Sequence, residues 1–175
     1  MSRTIAIVGC GNQKRDLDDG GLIPLAELYT SNYFQLKRDF AEEFCDDYHI
    51  LSAKFGLEDP YRPISESYDK SITELSTTEL INLRRSVGET LDEYEGSTRF
   101  VVLAGQKYID AIEPILQTHQ GTFAFPFENT SGIGDQMEWL SDHLDNREEH
   151  EDCSFLFESQ SVPRQTSRQG SLTDY

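Results

Sequence analysis

Four short apolar runs along the chain predict β-strands, at residues 4–9, 48–53, 100–105 and 122–127. The first and third runs are almost continuous Ile, Val, Leu and Ala. Such runs are typical of strands that are covered on both faces in a parallel sheet. We therefore place these two strands at the centre of the sheet.

Between the runs, apolar residues recur every three to four positions, which predicts helices. One helix begins after the cap candidate Ser31, and another opens with the capping box of Ser76 and Glu79. Two more helices follow the third and fourth strands, at residues 106–119 and 133–144. Within the first of these two, Pro114 is expected to kink the helix or end its first half.

This alternation of strand and helix predicts an α/β three-layer sandwich with a mostly parallel central sheet of at least four strands. Residues 1–145 are expected to form a single domain. Residues 54–72 interrupt the alternation as a long connection rich in Pro and Tyr, and long loops of this kind are usually functional. Residues 146–175, acidic and then rich in Ser and Gln, are expected to be a flexible tail in which "CSFLF" docks or adds an edge strand.

The charge balance narrows the class of protein. The formal net charge is −17, from 32 acidic residues against ten Arg and five Lys, which suits a protein kept soluble in concentrated salt. We expect a halophilic, cytoplasmic protein; an ordinary acidic protein with a charged tail is the alternative. Overall charge disfavours non-specific binding of nucleic acid, so any such binding must be local.

The cysteines and the apolar runs set further expectations. Cys10, Cys45 and Cys153 are odd in number and widely spaced, which favours reduced thiols over a disulfide framework. No spacing of His, Cys or acidic residues is typical of a ligand set, so we predict no metal and no cofactor. No run approaches the roughly 20 apolar residues of a membrane span, and the amino-terminal sequence lacks a signal-peptide pattern.

The carboxyl ends of parallel strands share one edge of a sheet, where ligands bind. The segments that follow the four predicted strands are residues 10–15, 52–56, 105–108 and 127–134. Lys14, Lys54 and Lys107 all fall in these segments. A lysine beside glycines at a strand end can receive an anion, and a phosphate-bearing ligand fits this pattern. The alternative is a tight turn with solvated bases, because "GCGNQKR" matches neither common phosphate-loop motif.

The candidate site follows from this convergence. Lys14 and Asp59 are the candidate catalytic residues, with Lys14 capturing an electrophile or binding phosphate and Asp59 acting as base or orienting a base edge. The candidate substrate- and phosphate-binding residues are Cys10, Gly11, Tyr29, Ser31, Ser52, Lys54, Gly56, Tyr68, Gly105 and Tyr108. The tyrosine rings are suited to stack on a base. We interpret Cys10 as a buried thiol, because no histidine is placed to activate it.

Several segments carry a family resemblance, namely "VGCGNQKRD", "AELYTSNYFQLKRDFAE", "YHILSAKFGLEDP", "SYDKSI", "VVLAGQKY" and "IGDQMEWL". Together they resemble the uncharacterised domain family 6884 of the unknown-function series. The resemblance covers the chain from its first strand to about residue 145. This family occurs in archaea, bacteria and their viruses, so the resemblance implies a protein of archaeal or archaeal-virus type and defines no activity.

Two more distant resemblances point toward nucleic acids. "LSAKFGLEDPYRPISESYD" and "VVLAGQKYIDAI" are similar to the peroxide-stress YaaA family, described as DNA-binding, with Phe55 in place of that family's tyrosine. Cys10 and Lys14 stand at the spacing of the Cys-x-x-x-Lys motif of archaeosine synthases, in which the lysine attacks a modified base of transfer RNA. The residues that follow the lysine differ, since Arg15 and Asp16 replace a Pro-Tyr pair.

The residues and the resemblances lead to one expectation and one rival. We expect an α/β domain that recognises or modifies a nucleotide or a nucleic-acid base at the carboxyl edge of its sheet. If it is an enzyme, it is a base-modifying or nucleotide-directed one. The rival is a non-enzymatic DNA-binding protein of the stress-response kind, in which the same lysines hold backbone phosphates.

Overall fold

The computed structural model describes residues 2–17 and 20–158. In chain order its strands and α-helices are β1 (Thr4–Gly9), β2 (Ile23–Pro24), α1 (Leu25–Leu28), α2 (Asn32–Phe44), β3 (Asp47–Ser52), β4 (Gly56–Glu58), β5 (Pro63–Ile64), α3 (Thr77–Leu91), β6 (Arg99–Leu103), α4 (Gln106–Leu116), β7 (Thr122–Ala124), α5 (Ile133–Asp145) and α6 (Phe155–Glu158). Short 3-10 helices lie at Ile72–Glu74 and Arg147–Glu149. None of these described helices combines the length and the apolar character needed to cross a bilayer.

The central sheet has five strands in the order β4-β3-β1-β6-β7. The pairings β1–β3, β1–β6 and β6–β7 are parallel, and only the edge strand β4 runs antiparallel, against β3. β2 and β5 form a separate two-stranded antiparallel ladder. The predicted α/β sandwich with a mostly parallel sheet is therefore confirmed, and the two near-continuous apolar runs are its central strands β1 and β6.

Two hydrophobic layers enclose the sheet, because successive side chains of a strand point to opposite faces. Ala6 and Val8 of β1 pack with α2 and α5, whereas Ile5 and Ile7 pack with α3 and α4. All six residues of β1 are buried. Full burial on both faces explains why its sequence is an unbroken apolar run rather than an alternating one.

The helix starts follow the predicted capping residues. The Ser31 hydroxyl accepts the Phe34 N–H at 3.1 Å at the start of α2, and Ser76 and Glu79 form the reciprocal capping box of α3. α4 runs through Pro114 to Leu116, so the proline does not end the helix. It lies in the last turn of α4, where its ring removes one backbone hydrogen bond.

Two segments contain structure that the apolar pattern did not indicate. The connection at residues 54–72 holds β4 and β5, and the segment before α2 holds β2 and α1. Beyond α5, "CSFLF" docks as α6 rather than as an edge strand. Cys153 is fully buried there, and its N–H donates to the Phe44 carbonyl at 3.1 Å. The packed part thus reaches residue 158, and the remainder of the predicted tail lies outside the described residues.

Candidate functional site

The order in which the chain adds strands to the sheet reverses between β1 and β6. β3 and β4 lie on one side of β1, and β6 and β7 lie on the other. β1 leads to α2 on one face, whereas β6 leads to α4 on the other, so the two connections diverge at the carboxyl ends of these strands. Such a divergence opens the crevice in which α/β proteins bind ligands. Cys10 directly follows β1, and Tyr108 lies in the first turn of α4. The Cys10 sulfur and the Tyr108 hydroxyl are in direct contact there, 2.9 Å apart.

A second group of hydroxyls lies at the end of β3. The Tyr68 hydroxyl is 2.7 Å from that of Tyr29 and 2.8 Å from that of Ser52, the last residue of β3. Tyr29 is almost fully buried, whereas Tyr68 is half-buried. We call Cys10, Tyr29, Ser52, Tyr68 and Tyr108 the carboxyl-edge cluster. It joins residues from five separate parts of the chain, three of which, Cys10, Ser52 and Tyr108, lie in the segments that the strand-end argument named.

The tyrosines of this cluster keep their protons. Burial raises the pKa of Tyr29, Tyr68 and Tyr108 well above the ordinary value, and the electrostatic interaction with the nearby Cys10 raises each pKa further. These phenols can therefore donate hydrogen bonds to a ligand near neutral pH. They do not serve as general bases, because that role needs a pKa near the working pH.

Lys14 is carried to the cluster by backbone pairing. Lys14 pairs with Tyr29 in an isolated antiparallel bridge, and the adjacent Arg15 N–H donates to the Leu28 carbonyl at 2.8 Å. The Lys14 ammonium lies 4.5 Å from the centroid of the Tyr68 ring, within cation–π range. Arg15 instead points to Glu27, with 3.8 Å between the charged groups of an exposed pair.

Lys54 approaches the same ring from the turn after β3. Its ammonium lies 5.8 Å from the Tyr68 ring centroid and 5.3 Å from that of Phe55. In the described part of the chain, no carboxylate forms an ion pair with Lys14 or Lys54. Lys107 is exposed in α4, and within residues 2–17 and 20–158 no hydrogen bond or ion pair joins it to the cluster.

The remaining predicted binding residues shape the backbone around the cluster. Ser31 caps α2, and a side chain at Gly11 would lie 3.1 Å from the Ser31 hydroxyl, so the two segments pack closely. Gly56 has a φ of +75°, and a Cβ there would lie 2.5 Å from the Ser86 hydroxyl. Gly105 is the cap of α4, with open space where a side chain would be. Of these three glycines, only Gly105 has open space at the position of a side chain.

Asp59 does not join the cluster. β4 runs antiparallel to β3, with Gly56 opposite Ser52 and Glu58 opposite Ile50, so the chain leaves the carboxyl edge before it reaches Asp59. There the exposed Asp59 carboxylate accepts the Tyr61 N–H at 2.7 Å and closes a turn. The structure therefore gives Asp59 a turn-forming contact and separates it from Lys14.

Lys37 is a site residue that sequence reasoning missed. It lies in α2, is 1% exposed, and donates to the Gly9 carbonyl at 2.7 Å, directly beneath the turn that carries Cys10. Its ammonium is 4.1 Å from the Tyr33 ring centroid, and the Tyr33 hydroxyl donates to Gln136 of α5. Burial lowers the pKa of Lys37 to about 7. The available signal was its position in the middle of the apolar stripe of α2.

A cleft of about 310 Å³ lies between the turn after β3 and α3, and none of the five cluster residues lines it. Lys54 and Phe55 form one wall, and the polar side chains of Asn82 and Ser86 form part of the other. Lys70 also lines the cleft, where its ammonium pairs with Glu79 at 2.6 Å. Within residues 2–17 and 20–158, no group of three or more His, Cys, Asp and Glu side chains is placed to hold a metal ion.

These features define a doubly wound α/β protein. Its carboxyl-edge cluster of phenols, a thiol and a serine hydroxyl, with Lys14 and Lys54 beside it, lies where the strand order reverses. The chain belongs to the Family of unknown function (DUF6884), whose model matches residues 5–142. It is also similar to "Uncharacterized protein YfjM" of Bacillus subtilis (strain 168), with 28% identity over 153 residues, which cover 84% of this chain and 99% of that protein. The family match spans β1 to α5 and includes every residue of the carboxyl-edge cluster.

Proposed function

We propose that this protein binds a nucleotide or a nucleic-acid base at the carboxyl edge of its sheet, with the phosphate held between Lys14 and Lys54. The observation that carries the proposal is the position of these two ammonium groups, 4.5 and 5.8 Å from the centroid of one tyrosine ring, Tyr68. Neither forms an ion pair with a carboxylate of the described residues.

The shared position of these two lysines distinguishes them from the others. Of the five lysines, only Lys70 forms an ion pair with a carboxylate of the described residues, that of Glu79, so the lack of such a pair is not itself the distinguishing feature. Lys14 and Lys54 instead share one aromatic neighbour, and an anion between them would relieve their mutual repulsion. Both act as point charges, which suits phosphate binding.

The neighbouring cleft suggests where the rest of the ligand lies. Its volume of about 310 Å³ is at the lower end of the range for small-molecule sites, which is enough for a single base. Lys54 borders both the cleft and Tyr68, so a phosphate at Lys54 places the attached nucleoside in the cleft. The amide of Asn82 and the hydroxyl of Ser86 can hydrogen-bond the edge of a base there.

This arrangement favours a mononucleotide, or a base turned out of a strand, over the backbone of a duplex. Phosphates along a backbone need cations in a row, whereas Lys14 and Lys54 converge on one ring. Because Asp59 lies apart from the cluster, we assign it no role in the reaction. Modification of the bound base remains part of the proposal, with the Cys10 thiol and the Tyr108 phenol as the groups nearest to the crevice.

The test is binding of nucleoside monophosphates, inorganic phosphate and a single-stranded oligonucleotide, each measured by calorimetry at two salt concentrations. We expect Lys14→Ala and Lys54→Ala each to weaken monophosphate binding by roughly 10- to 100-fold, because a charge-assisted hydrogen bond contributes about 1.5–3 kcal/mol. Lys14→Arg retains most of the binding if the lysine acts through its charge. Arg3→Ala, which removes one exposed cation at the amino end of β1, serves as the matched control.

Two outcomes contradict the proposal. The first is unchanged monophosphate binding in both lysine variants, or no binding by the wild type. The second is binding of the oligonucleotide alone, which supports the DNA-binding alternative. Loss of turnover in Lys14→Arg with full retention of binding would instead identify Lys14 as a nucleophile.

A further inference from the structure

Two cysteines meet at the amino edge of the sheet, on the opposite side of the molecule from the carboxyl-edge cluster. Cys45 directly follows α2, and Cys153 lies just before α6. Their sulfur atoms are 3.4 Å apart, although 108 positions separate them in the chain. Cys153 is fully buried, and its N–H donates to the Phe44 carbonyl at 3.1 Å. Backbone and side chain together therefore hold this thiol against Cys45.

The cysteine contact lies at the centre of a docked segment, residues 146–158. The Phe155 ring stacks on His150 and on His143 of α5, with ring centroids 4.1 and 5.3 Å apart. Arg99 of β6 lies over the Phe157 ring at 5.1 Å. Ring contacts, the ion pair of Arg147 with Glu43 of α2 at 3.5 Å and one backbone hydrogen bond hold the segment, so a covalent bond at Cys153 would add the strongest link between it and the end of α2.

We propose that Cys45 and Cys153 form a reversible disulfide when the protein meets a peroxide or a low-molecular-weight disulfide, and that this bond fastens residues 146–158 to the end of α2. The sulfur atoms of a disulfide lie about 2.05 Å apart, so the observed 3.4 Å separation closes by little more than 1 Å. The proposal is independent of ligand binding at the carboxyl edge.

The reaction balances with hydrogen peroxide as the oxidant. The thiolate of one cysteine attacks a peroxide oxygen, which forms an S–O bond, breaks the O–O bond and releases hydroxide. The sulfur of the second cysteine then attacks the oxidised sulfur, which forms the S–S bond and releases the second hydroxide. The two thiol protons convert both hydroxides to water, so two thiols are oxidised and one peroxide is reduced. A dithiol reductant reverses the change.

The surroundings of the pair favour this chemistry. Cys45 is partly exposed, which gives a small oxidant access to the pair. The hydrogen bond from Cys45 lowers the pKa of the Cys153 thiol, whereas this hydrogen bond and burial raise the pKa of Cys45. Cys153 is therefore the thiol that supplies the attacking thiolate, and Cys45 is the thiol that resolves the oxidised sulfur. Cys10 is held at the other edge of the sheet by Tyr108 and is not a partner for either sulfur.

The chain offers a direct mapping experiment, because each cysteine lies in a different tryptic peptide. Cys10 falls in residues 4–14, Cys45 in residues 39–54 and Cys153 in residues 148–164. After treatment of the full chain with hydrogen peroxide, we expect the second and third peptides to be recovered as one linked species that dithiothreitol separates. Titration of the denatured protein should count three thiols before oxidation and one after it.

Stability of the unchanged sequence provides a second measurement. A disulfide that closes a loop of about 100 residues is expected to raise the Tm of the oxidised protein by roughly 10 °C over the reduced protein. Cys10→Ser should retain the rise, whereas Cys45→Ser should abolish it. Three titratable thiols after peroxide treatment would overturn the proposal. So would linkage found only between two chains, or an equal Tm for the oxidised and reduced wild type.

Discussion

Replacement of Lys37 by methionine tests whether this buried lysine carries its charge at a cost to stability. Methionine has a similar length and no charge, so the variant keeps the packing of α2 against Tyr33. In the wild type the ammonium is 1% exposed and lies 2.7 Å from the Gly9 carbonyl. Burial lowers its pKa from 10.5 to about 7.

The size of the effect follows from proton linkage. Because the pKa of Lys37 is lower in the folded protein than in the unfolded chain, the unfolded chain binds more protons between these two values. The folded protein therefore gains stability as pH rises from about 7 toward 10.5, and it loses that gain as pH falls. One pKa unit corresponds to about 1.36 kcal/mol, so the gain between pH 7 and pH 9.5 is on the order of 3 kcal/mol.

The assay is urea unfolding of the wild type and of Lys37→Met at pH 7 and at pH 9.5. Cysteines and tyrosines that titrate in this range contribute equally to both proteins. The hydrogen bond to Gly9 is lost only in the variant, but this loss lowers its stability at both pH values and so cancels from the pH dependence. The difference between the two pH dependences thus isolates Lys37. We expect the wild type to gain on the order of 3 kcal/mol relative to the variant as pH rises. Lys107→Met, at an exposed lysine of α4, should match the wild type.

Parallel pH dependences for the wild type and Lys37→Met would refute this reasoning. That result would mean that Lys37 keeps an ordinary pKa because water or an anion reaches its ammonium. A relative loss of wild-type stability with rising pH would contradict the sign of the argument as well as its size.

Two local substitutions test the backbone around the site. Gly56→Ala should destabilise the protein by about 2 kcal/mol, because Gly56 has a φ of +75° and a new Cβ would lie 2.5 Å from the Ser86 hydroxyl. The control Gly134→Ala places its Cβ in open space in α5 and should be neutral or stabilising. Equal chemical denaturation midpoints for the two variants would argue against strain at Gly56. Ser76→Ala should remove the capping box of α3 and lower the Tm by roughly 2–4 °C, whereas a comparable loss in the exposed Thr78→Ala would show that the cap is not the cause.

Sequence pattern predicted the elements with strong periodicity and missed the short ones. β1 and β6 were recognisable because burial on both faces requires unbroken apolar runs. β4 and β5 span three and two residues, too few for any period to appear. Their pairing depends on partners elsewhere in the fold, such as Ile23 opposite Ile64, which a local pattern does not record.

The candidate site shows the same division. Convergence of strand ends brought Cys10 and Tyr108 together correctly, because the topology of a parallel sheet dictates where those segments meet. The sequence placed Asp59 at the carboxyl edge, but strand β4, which the pattern did not indicate, carries it away from that edge. Lys37 was missed because a charged residue in an apolar stripe is normally a boundary residue, and only the Gly9 carbonyl explains its burial.

The length of the two outer strands has a consequence for how this protein behaves in a crowded solution. β4 and β7 each span three residues, so the outer border of the sheet offers few unpaired backbone groups to a strand from another molecule. The two central strands, whose apolar sequences would otherwise be prone to cross-β stacking, are thereby kept away from intermolecular pairing. A net charge of −17 adds repulsion between approaching molecules. Folded chains are therefore expected to resist fibril formation. Cross-β association is expected only from the unfolded state, in which β1 and β6 become accessible.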